Sequence, residues 1–191
     1  MIVELQMTAI HEAAHITLTV LSRFHELSFG WIRLTLGARG EAPFVRSGPK
    51  LRACGKDSRT SRRDKDVARE AAAIYLAGLL AERRLCERYP EYAADFDETA
   101  SAHDLASLQA ELGAAGIDAA EIDMLTSAAE RAVAAHWDTL TLLARAMLHS
   151  GGWEIHPSRA EEIVQRHACG YWSIPGAPAE TGQEEAAAAR T

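Results

Sequence analysis

Residues 8–24 read TAIHEAAHITLTVLSRF and contain the pentapeptide His11-Glu12-Ala13-Ala14-His15, which is an H-E-x-x-H motif. Residues four apart on an α-helix lie one turn above each other on the same face, so both imidazoles can reach one metal ion. The Glu12 side chain lies about 100° around that helix, where it can contact a water without being a ligand. We therefore predict a helix from Thr8, as its N-cap, to about Phe24, with a metal-binding face.

The composition of the 191-residue chain predicts one mainly α domain, because Ala and Leu dominate the 48% of hydrophobic residues and aromatic residues make up 6%. The net charge of -7 argues against general nucleic-acid binding, which requires a basic surface. Cys54, Cys86 and Cys169 are widely spaced, which is typical of reduced thiols in a cytoplasmic protein. We expect no signal peptide and no membrane span, since no apolar run approaches about 20 residues.

Periodicity along the rest of the chain predicts further helices and one short β element. Ile32, Leu34 and Leu36 alternate with Trp31, Arg33 and Thr35, which predicts a strand over residues 31–36 beside the motif helix. That strand could offer an edge to an extended substrate or belong to a small structural hairpin. Helical spacing of apolar residues predicts helices over residues 66–88, 101–113, 117–149 and 157–168.

We expect the domain to occupy residues 1–174 and to be followed by a disordered tail. Residues 175–191 have low complexity and lack any large apolar side chain. Within the domain, residues 39–65 are rich in Gly, Pro and Ser and carry nine Lys or Arg against three acidic residues. That composition predicts a mobile, solvated basic loop, although such a loop could also capture an acidic partner.

The two histidines need a further protein ligand, because catalytic zinc usually takes three and keeps one position for water. A third histidine at the spacing H-E-x-x-H-x-x-G-x-x-H is excluded, since Leu18 and Leu21 occupy the required glycine and histidine positions. Glu70 or Glu82 on a later helix would provide a carboxylate, as would Asp104 at the start of a helix further downstream. Spacing alone excludes none of the three.

A family resemblance favours Asp104. The pentapeptide resembles the HEAGH motif of the FtsH-type ATP-dependent metalloproteases, and His103-Asp104-Leu105 is similar to their N-D-L segment. Residues 69–82 and 128–163 resemble the next core helix and the closing helices of that peptidase domain. The resemblance implies a zincin-like helical metallopeptidase domain with a small β-strand or hairpin element next to the motif helix. It also implies Zn²⁺ bound by His11, His15 and Asp104.

The chain departs from this family at several points. Ala14 stands at the family's glycine and adds a methyl group, and His103 replaces an asparagine beside the predicted ligand. No phosphate-binding P-loop motif occurs in the 191 residues, and neither the family's ATPase nor its membrane segment is found. We therefore expect a peptidase that acts on flexible polypeptides, alone, as a homo-oligomer or with a separate ATPase.

In the predicted reaction, zinc lowers the pKa of a water and polarises a peptide carbonyl, while Glu12 takes the proton as general base. The alternative from another class is a non-catalytic adaptor or regulatory module that keeps the scaffold for binding. A further alternative is a structural zinc with four protein ligands and no water. Substitution of Glu12 distinguishes the enzyme from the adaptor.

Overall fold

The structure, a computed structural model, describes residues 2–28, 30–34, 44–168 and 172. It is mainly helical with two small sheets, which confirms the mainly α prediction. The predicted tail, residues 175–191, lies outside the described residues. The elements in chain order are α1 Ile2–Leu21, β1 His25–Leu27, β2 Ile32–Arg33, β3 Phe44–Arg46, α2 Gly48–Ala53, α3 Lys65–Arg88, α4 Ala102–Ala115, α5 Ile122–Ala135, α6 Trp137–Leu148, β4 Glu154–Ile155 and α7 Pro157–His167.

Helix α1 begins earlier and ends earlier than the predicted span of residues 8–24. Thr8 is not an N-cap, because its hydroxyl donates to the Glu4 carbonyl at 2.9 Å as it would inside a helix. Residues 2–7 contain no glycine or proline that would stop the helix from extending backwards. At the other end, the Ser22 hydroxyl accepts the backbone N–H groups of Phe24 and His25 at 3.1 and 3.0 Å. This turn directs the chain into β1.

Helix α3 is the centre of the fold and packs against α1, α4 and α5. Asp64 caps its start by accepting the backbone N–H groups of Asp66 and Val67 at 3.1 and 3.3 Å. Pro90 follows its end, as predicted. Small buried residues such as Ala71 keep α3 thin, so α1 can pack closely against it. Helix α1 also packs against α6 and α7, and is therefore covered on two sides.

The two sheets join distant parts of the chain. Strand β1 pairs antiparallel with β3, and β2 pairs antiparallel with β4 through Ile32 and Ile155. The predicted strand over residues 31–36 is confirmed for Ile32–Arg33, and the Leu34 N–H extends the pairing by donating to the Trp153 carbonyl at 2.8 Å. Residues 35–36 lie outside the described residues. Within the described residues, β2 therefore pairs with a strand from near the end of the domain and not with a neighbouring strand.

The prediction of a basic loop over residues 39–65 is wrong for much of that segment, because residues 44–63 contain β3, α2 and a short 3₁₀ helix. Residues 39–43 lie outside the described residues. Ser47 caps α2, and Leu51 is buried with Phe24 and Val67 in a small apolar cluster. Charged residues dominate this segment, so the sequence did not indicate that Leu51 belongs to the core. The loop's predicted mobility stays a prediction.

The single helix predicted over residues 117–149 is two helices, α5 and α6, separated at His136. Helix α5 packs against α3, whereas α6 packs against α1 and α7. The two segments bury their apolar residues against different partners, so the chain changes direction between them. The predicted helices over residues 66–88, 101–113 and 157–168 correspond to α3, α4 and α7 within two residues at each end. No helix in the described part of the chain has the length and apolarity to cross a bilayer.

Candidate metal centre

Helix α1 presents His11 and His15 on one face, as their four-residue spacing predicts. Their Nε2 atoms lie 3.0 Å apart, and the two rings meet edge to face at 76°. Each residue is 1% exposed. Two imidazole nitrogens therefore face the same point inside the protein.

Asp104 completes the group from the first turn of α4. Its Oδ2 atom lies 3.1 Å from Nε2 of His11 and 3.3 Å from Nε2 of His15. The three residues each offer one ligand atom, and these atoms all lie within 4.8 Å of one another. The other carboxylate oxygen of Asp104, Oδ1, is buried, and no residue in the described part of the chain forms a hydrogen bond with it. The structure thus brings together all three predicted ligands.

Contacts on the far side of each imidazole determine which ring nitrogen faces the centre as an acceptor. The His15 Nδ1 atom lies 2.7 Å from the Ile74 carbonyl, which can only accept, so Nδ1 carries the hydrogen. In the neutral ring the lone pair then lies on Nε2. Nδ1 of His11 lies 3.2 Å from a carboxylate oxygen of Glu82, which favours the same tautomer. Both Nε2 lone pairs therefore point towards Asp104.

Three acceptor atoms this close together repel one another unless a cation or a proton lies between them. Burial alone would lower the pKa of His11, but hydrogen bonding to Asp104 and the charges of Glu82 and Glu12 raise it to about 9. Burial would raise the pKa of Asp104, and the two histidines outweigh this and hold it well below its usual range. The site favours positive charge, and two nitrogens with one carboxylate oxygen are a donor set that zinc accepts.

The two glutamates that spacing left open are not placed as ligands. Glu82 is 0% exposed and contacts His11 at Nδ1, the nitrogen opposite the one that faces the centre. Glu70 lies in a different cluster, where one oxygen accepts from the Ser22 hydroxyl at 2.6 Å and the other from Nε of Arg23 at 2.6 Å. A carboxylate next to the non-ligating nitrogen of a metal-bound histidine fixes the orientation of its ring.

Gly78 of α3 lies against the His11 ring, which fits there because glycine has no side chain. A Cβ atom at this position would lie 2.5 Å from Cε1 and 2.6 Å from Nε2 of His11. The sequence showed that α3 is thin, but it did not show that one glycine lies against a metal-binding ring. Ala14, at the family's glycine position, is fully buried without preventing helix packing. His103 is exposed, so its side chain is on the outside of α4.

Glu12, the predicted general base, lies on α1 between the two histidines and is 7% exposed. Its charge contributes to the raised pKa of His11, so the carboxylate lies within electrostatic reach of the centre. Glu12 has a polar or electrostatic interaction of its own within the fold. The Glu12 carboxylate is therefore buried close to the candidate ligands.

Comparison with protein families, with curated proteins and with solved structures found no match. The resemblance to the FtsH-type peptidases therefore stays a prediction, supported by the residues that carry it.

Proposed function

We propose that this protein is a zinc metallopeptidase that hydrolyses flexible polypeptides, with a zincin-like domain of the FtsH peptidase type. The observation that carries the proposal is the convergence of Nε2 of His11, Nε2 of His15 and Oδ2 of Asp104 at a buried point. Glu12 lies beside this point on the same helix. An H-E-x-x-H helix with a distant carboxylate is a ligand set that catalytic zinc uses.

In the proposed reaction His11, His15 and Asp104 would hold Zn²⁺. When bound, this ion would supply Lewis-acid chemistry, lowering the pKa of a water towards neutrality and polarising a peptide carbonyl. Glu12 accepts the proton of the attacking water and returns it to the leaving amine. The Ile74 carbonyl and the Glu82 carboxylate keep the two imidazoles in the tautomer and orientation that binding requires.

The number of donors favours a catalytic over a structural site. Within the described ranges the converging group contains three residues, whereas closed structural zinc sites take four protein ligands. We propose flexible polypeptides as substrates because only an extended segment could bring a peptide bond close to ligands that are as buried as His11, His15 and Asp104. A separate ATPase or a homo-oligomer would extend the range of substrates. The wide spacing of Cys54, Cys86 and Cys169 along the sequence supports a cytoplasmic location as part of this proposal.

The substitution Glu12→Gln tests the enzyme against the adaptor, with unfolded casein as the probe. We expect hydrolysis to fall about 10²–10⁴-fold, because a general base is lost, while the zinc content stays at that of the wild type. Glu4→Gln makes the same chemical change at an exposed position of α1 and serves as the control. Undiminished hydrolysis in Glu12→Gln, or no hydrolysis by zinc-loaded wild type, would contradict the proposal. The second result would favour the adaptor.

A further inference from the structure

A surface groove lies where α1, the end of α3 and α6 meet. It consists of two adjoining cavities of about 500 and 310 Å³, and the buried side chains of Ile10 and Leu85 line both of them. Tyr89 and Leu142 line the groove as well, and they are 46% and 39% exposed. Large apolar side chains that are open to water beside a groove are typical of an interaction surface.

Two arginines line this groove without an acidic partner. The guanidinium of Arg88 lies over the Trp137 ring, 5.4 Å from its centroid, and Arg145 lines both cavities. Asp138 lines the larger cavity too, yet neither guanidinium forms an ion pair with a carboxylate in the described ranges. Arginines elsewhere in the fold do form such pairs. The groove therefore presents two guanidiniums that can still donate to a carboxylate.

An acidic segment, residues 91–95 with the sequence EYAAD, adjoins the groove. It belongs to a short 3₁₀ helix, Pro90–Asp95, that follows α3, and its first two residues line the smaller cavity. Glu91 and Asp95 are exposed, and neither forms an ion pair with a cation in the part of the chain that the structure describes. Carboxylates without a cation and guanidiniums without an anion therefore lie next to each other on one surface.

This surface is complementary to a second copy of itself. A two-fold axis brings the same surface of two copies together, so every contact between two different residues occurs twice. With the axis between the groove and the acidic segment, the acidic segment of one copy comes opposite Arg88 and Arg145 of the other. The exposed Tyr89 lies between Arg88 and Glu91 in the sequence and therefore at this boundary. Tyrosine and arginine are among the residues that contribute most to binding at protein interfaces.

Other occupants fit the groove less well. Nucleic acids and anionic membranes bind surfaces that are basic overall, whereas acidic residues border this groove and the net charge of the chain is -7. Residues 175–191 of the chain itself carry carboxylates but no large apolar side chain that could cover Tyr89 and Leu142. A second copy supplies both carboxylates and apolar side chains.

We propose that the groove and the acidic segment beside it form the interface of a two-fold homodimer. Pairs of guanidinium and carboxylate groups, from the groove of one copy and the acidic segment of the other, form its rim. Tyr89 and Leu142 form its apolar centre. The groove includes Ile10, the residue before His11, so dimerisation stabilises the motif helix. The dimer needs no bound metal, and the inference does not depend on the proposed function.

Sedimentation velocity of the full chain over a range of concentrations, with and without zinc, tests the dimer. We expect the wild type to be a dimer at micromolar concentrations in both conditions. Arg88→Glu combined with Arg145→Glu should weaken the dimer at least about 100-fold, because attractive pairs become repulsive on both sides of the axis. Arg62→Glu combined with Arg63→Glu makes the same change at two exposed residues outside the groove and should leave the dimer intact.

A reciprocal exchange of charges tests whether the two groups meet each other. Glu91→Lys combined with Asp95→Lys should dissociate the dimer as the arginine variant does. When all four substitutions are combined, opposite charges face each other again, and we expect the affinity to return to within about 10-fold of the wild type. The four side chains are exposed, so the variants should fold, and circular dichroism checks this. Restored dimerisation cannot come from a misfolded chain.

Two results would overturn this inference. A wild type that stays monomeric throughout the micromolar range would refute the dimer, and binding of an acidic synthetic peptide to that monomer would assign the groove to another protein. A dimer that is unchanged by Arg88→Glu with Arg145→Glu would show that the copies meet at a different surface. A dimer that binds no zinc would refute the proposed function and leave this inference intact.

Discussion

Two buried glutamates of α3, Glu70 and Glu82, belong to clusters that are built in opposite ways. Glu70 receives donors from the chain itself, namely the Arg23 guanidinium, the Arg23 backbone N–H and the Ser22 hydroxyl, at 2.6 to 3.0 Å. Glu82 lies beside His11, in a cluster where Asp104 and two imidazole lone pairs converge. In the first cluster a guanidinium of the chain neutralises the carboxylate, whereas in the second the ligand atoms of His11, His15 and Asp104 lie within 4.8 Å of one another, close enough to hold one metal ion.

A buried carboxylate therefore indicates a metal site only when one of its oxygens lies close to other possible ligand atoms, as Oδ2 of Asp104 does. Sequence spacing alone excludes none of Glu70, Glu82 and Asp104 as the third ligand. Their environments separate them, because Glu70 is satisfied and Glu82 contacts the wrong ring nitrogen. Asp104 alone among the three faces both Nε2 atoms.

The largest effect is expected from removing one carboxylate from each cluster. Asp104→Ala should lower zinc affinity at least about 100-fold, because it removes a ligand. Glu70→Ala should leave zinc affinity unchanged and lower the free energy of unfolding by about 2–4 kcal/mol, because it leaves Arg23 and Ser22 without their acceptor. Chelator competition and denaturant unfolding measure the two quantities. Unchanged zinc content in Asp104→Ala would refute it as the third ligand.

A second substitution tests how closely α3 approaches the metal-binding ring. Gly78→Ala places a Cβ atom 2.5 Å from the His11 ring, so the ring or the helix must move. We expect a loss of about 1–3 kcal/mol in the free energy of unfolding, together with weaker zinc binding. Gly113→Ala on α4 meets nothing within 4 Å and should stabilise the protein slightly through helix propensity. Equal effects at both positions would contradict the close contact.

A smaller loss of zinc affinity is expected from a change at Glu82, which contacts Nδ1 of His11. Glu82→Gln keeps the shape of the side chain but removes the charge that orients the imidazole, so zinc affinity should fall about 10-fold. Glu87→Gln makes the same change at an exposed position of α3 and should have no effect. Abolished zinc binding in Glu82→Gln would indicate that Glu82 is a ligand after all.

The smallest effect is the change in the free energy of unfolding with pH that comes from His25. This histidine is buried, and its Nδ1 atom lies 3.0 Å from the Ser22 hydroxyl. Burial, together with the charges of Arg46 and Lys50, lowers the pKa of His25 to about 3. The unfolded chain therefore binds a proton near pH 6.5 that the folded chain does not, so stability falls as the pH falls below 6.5. We expect the free energy of unfolding to drop by about 1 kcal/mol between pH 7.5 and 5.5 from this group.

Denaturant unfolding of the wild type and of His25→Asn at both pH values isolates this contribution. The variant should lose less stability over the same interval, because it cannot take up the proton. An identical pH dependence in the two proteins would show that His25 is not buried as a neutral ring.

The motif helix and its ligand pair follow from local sequence, since the spacing of His11 and His15 alone puts them on one face. Asp104 was predicted from a resemblance, because nothing local connects residue 104 with residue 11. The contacts of Glu82 and Gly78 with His11 could not be predicted, since they depend on the axial register between α1 and α3. Packing against the whole core sets that register.

The errors in the predicted secondary structure also come from contacts between distant parts of the chain. Residues 117–149 contain no proline, and the chain around His136 shows no strong helix breaker, so periodicity predicts one helix. The segment forms two helices instead, because α5 packs against α3 and α6 packs against α1. Strand β3 was hidden inside a basic segment because strand pairing with β1 depends on a distant partner.

A crystal structure of the protein grown with zinc, with anomalous data collected at the zinc absorption edge, would show whether His11, His15 and Asp104 bind the metal. We expect one strong anomalous peak per chain at about 2.0–2.2 Å from Nε2 of His11, Nε2 of His15 and a carboxylate oxygen of Asp104. An anomalous map with no peak at this point, or with Glu82 or Glu70 as the third ligand, would contradict it.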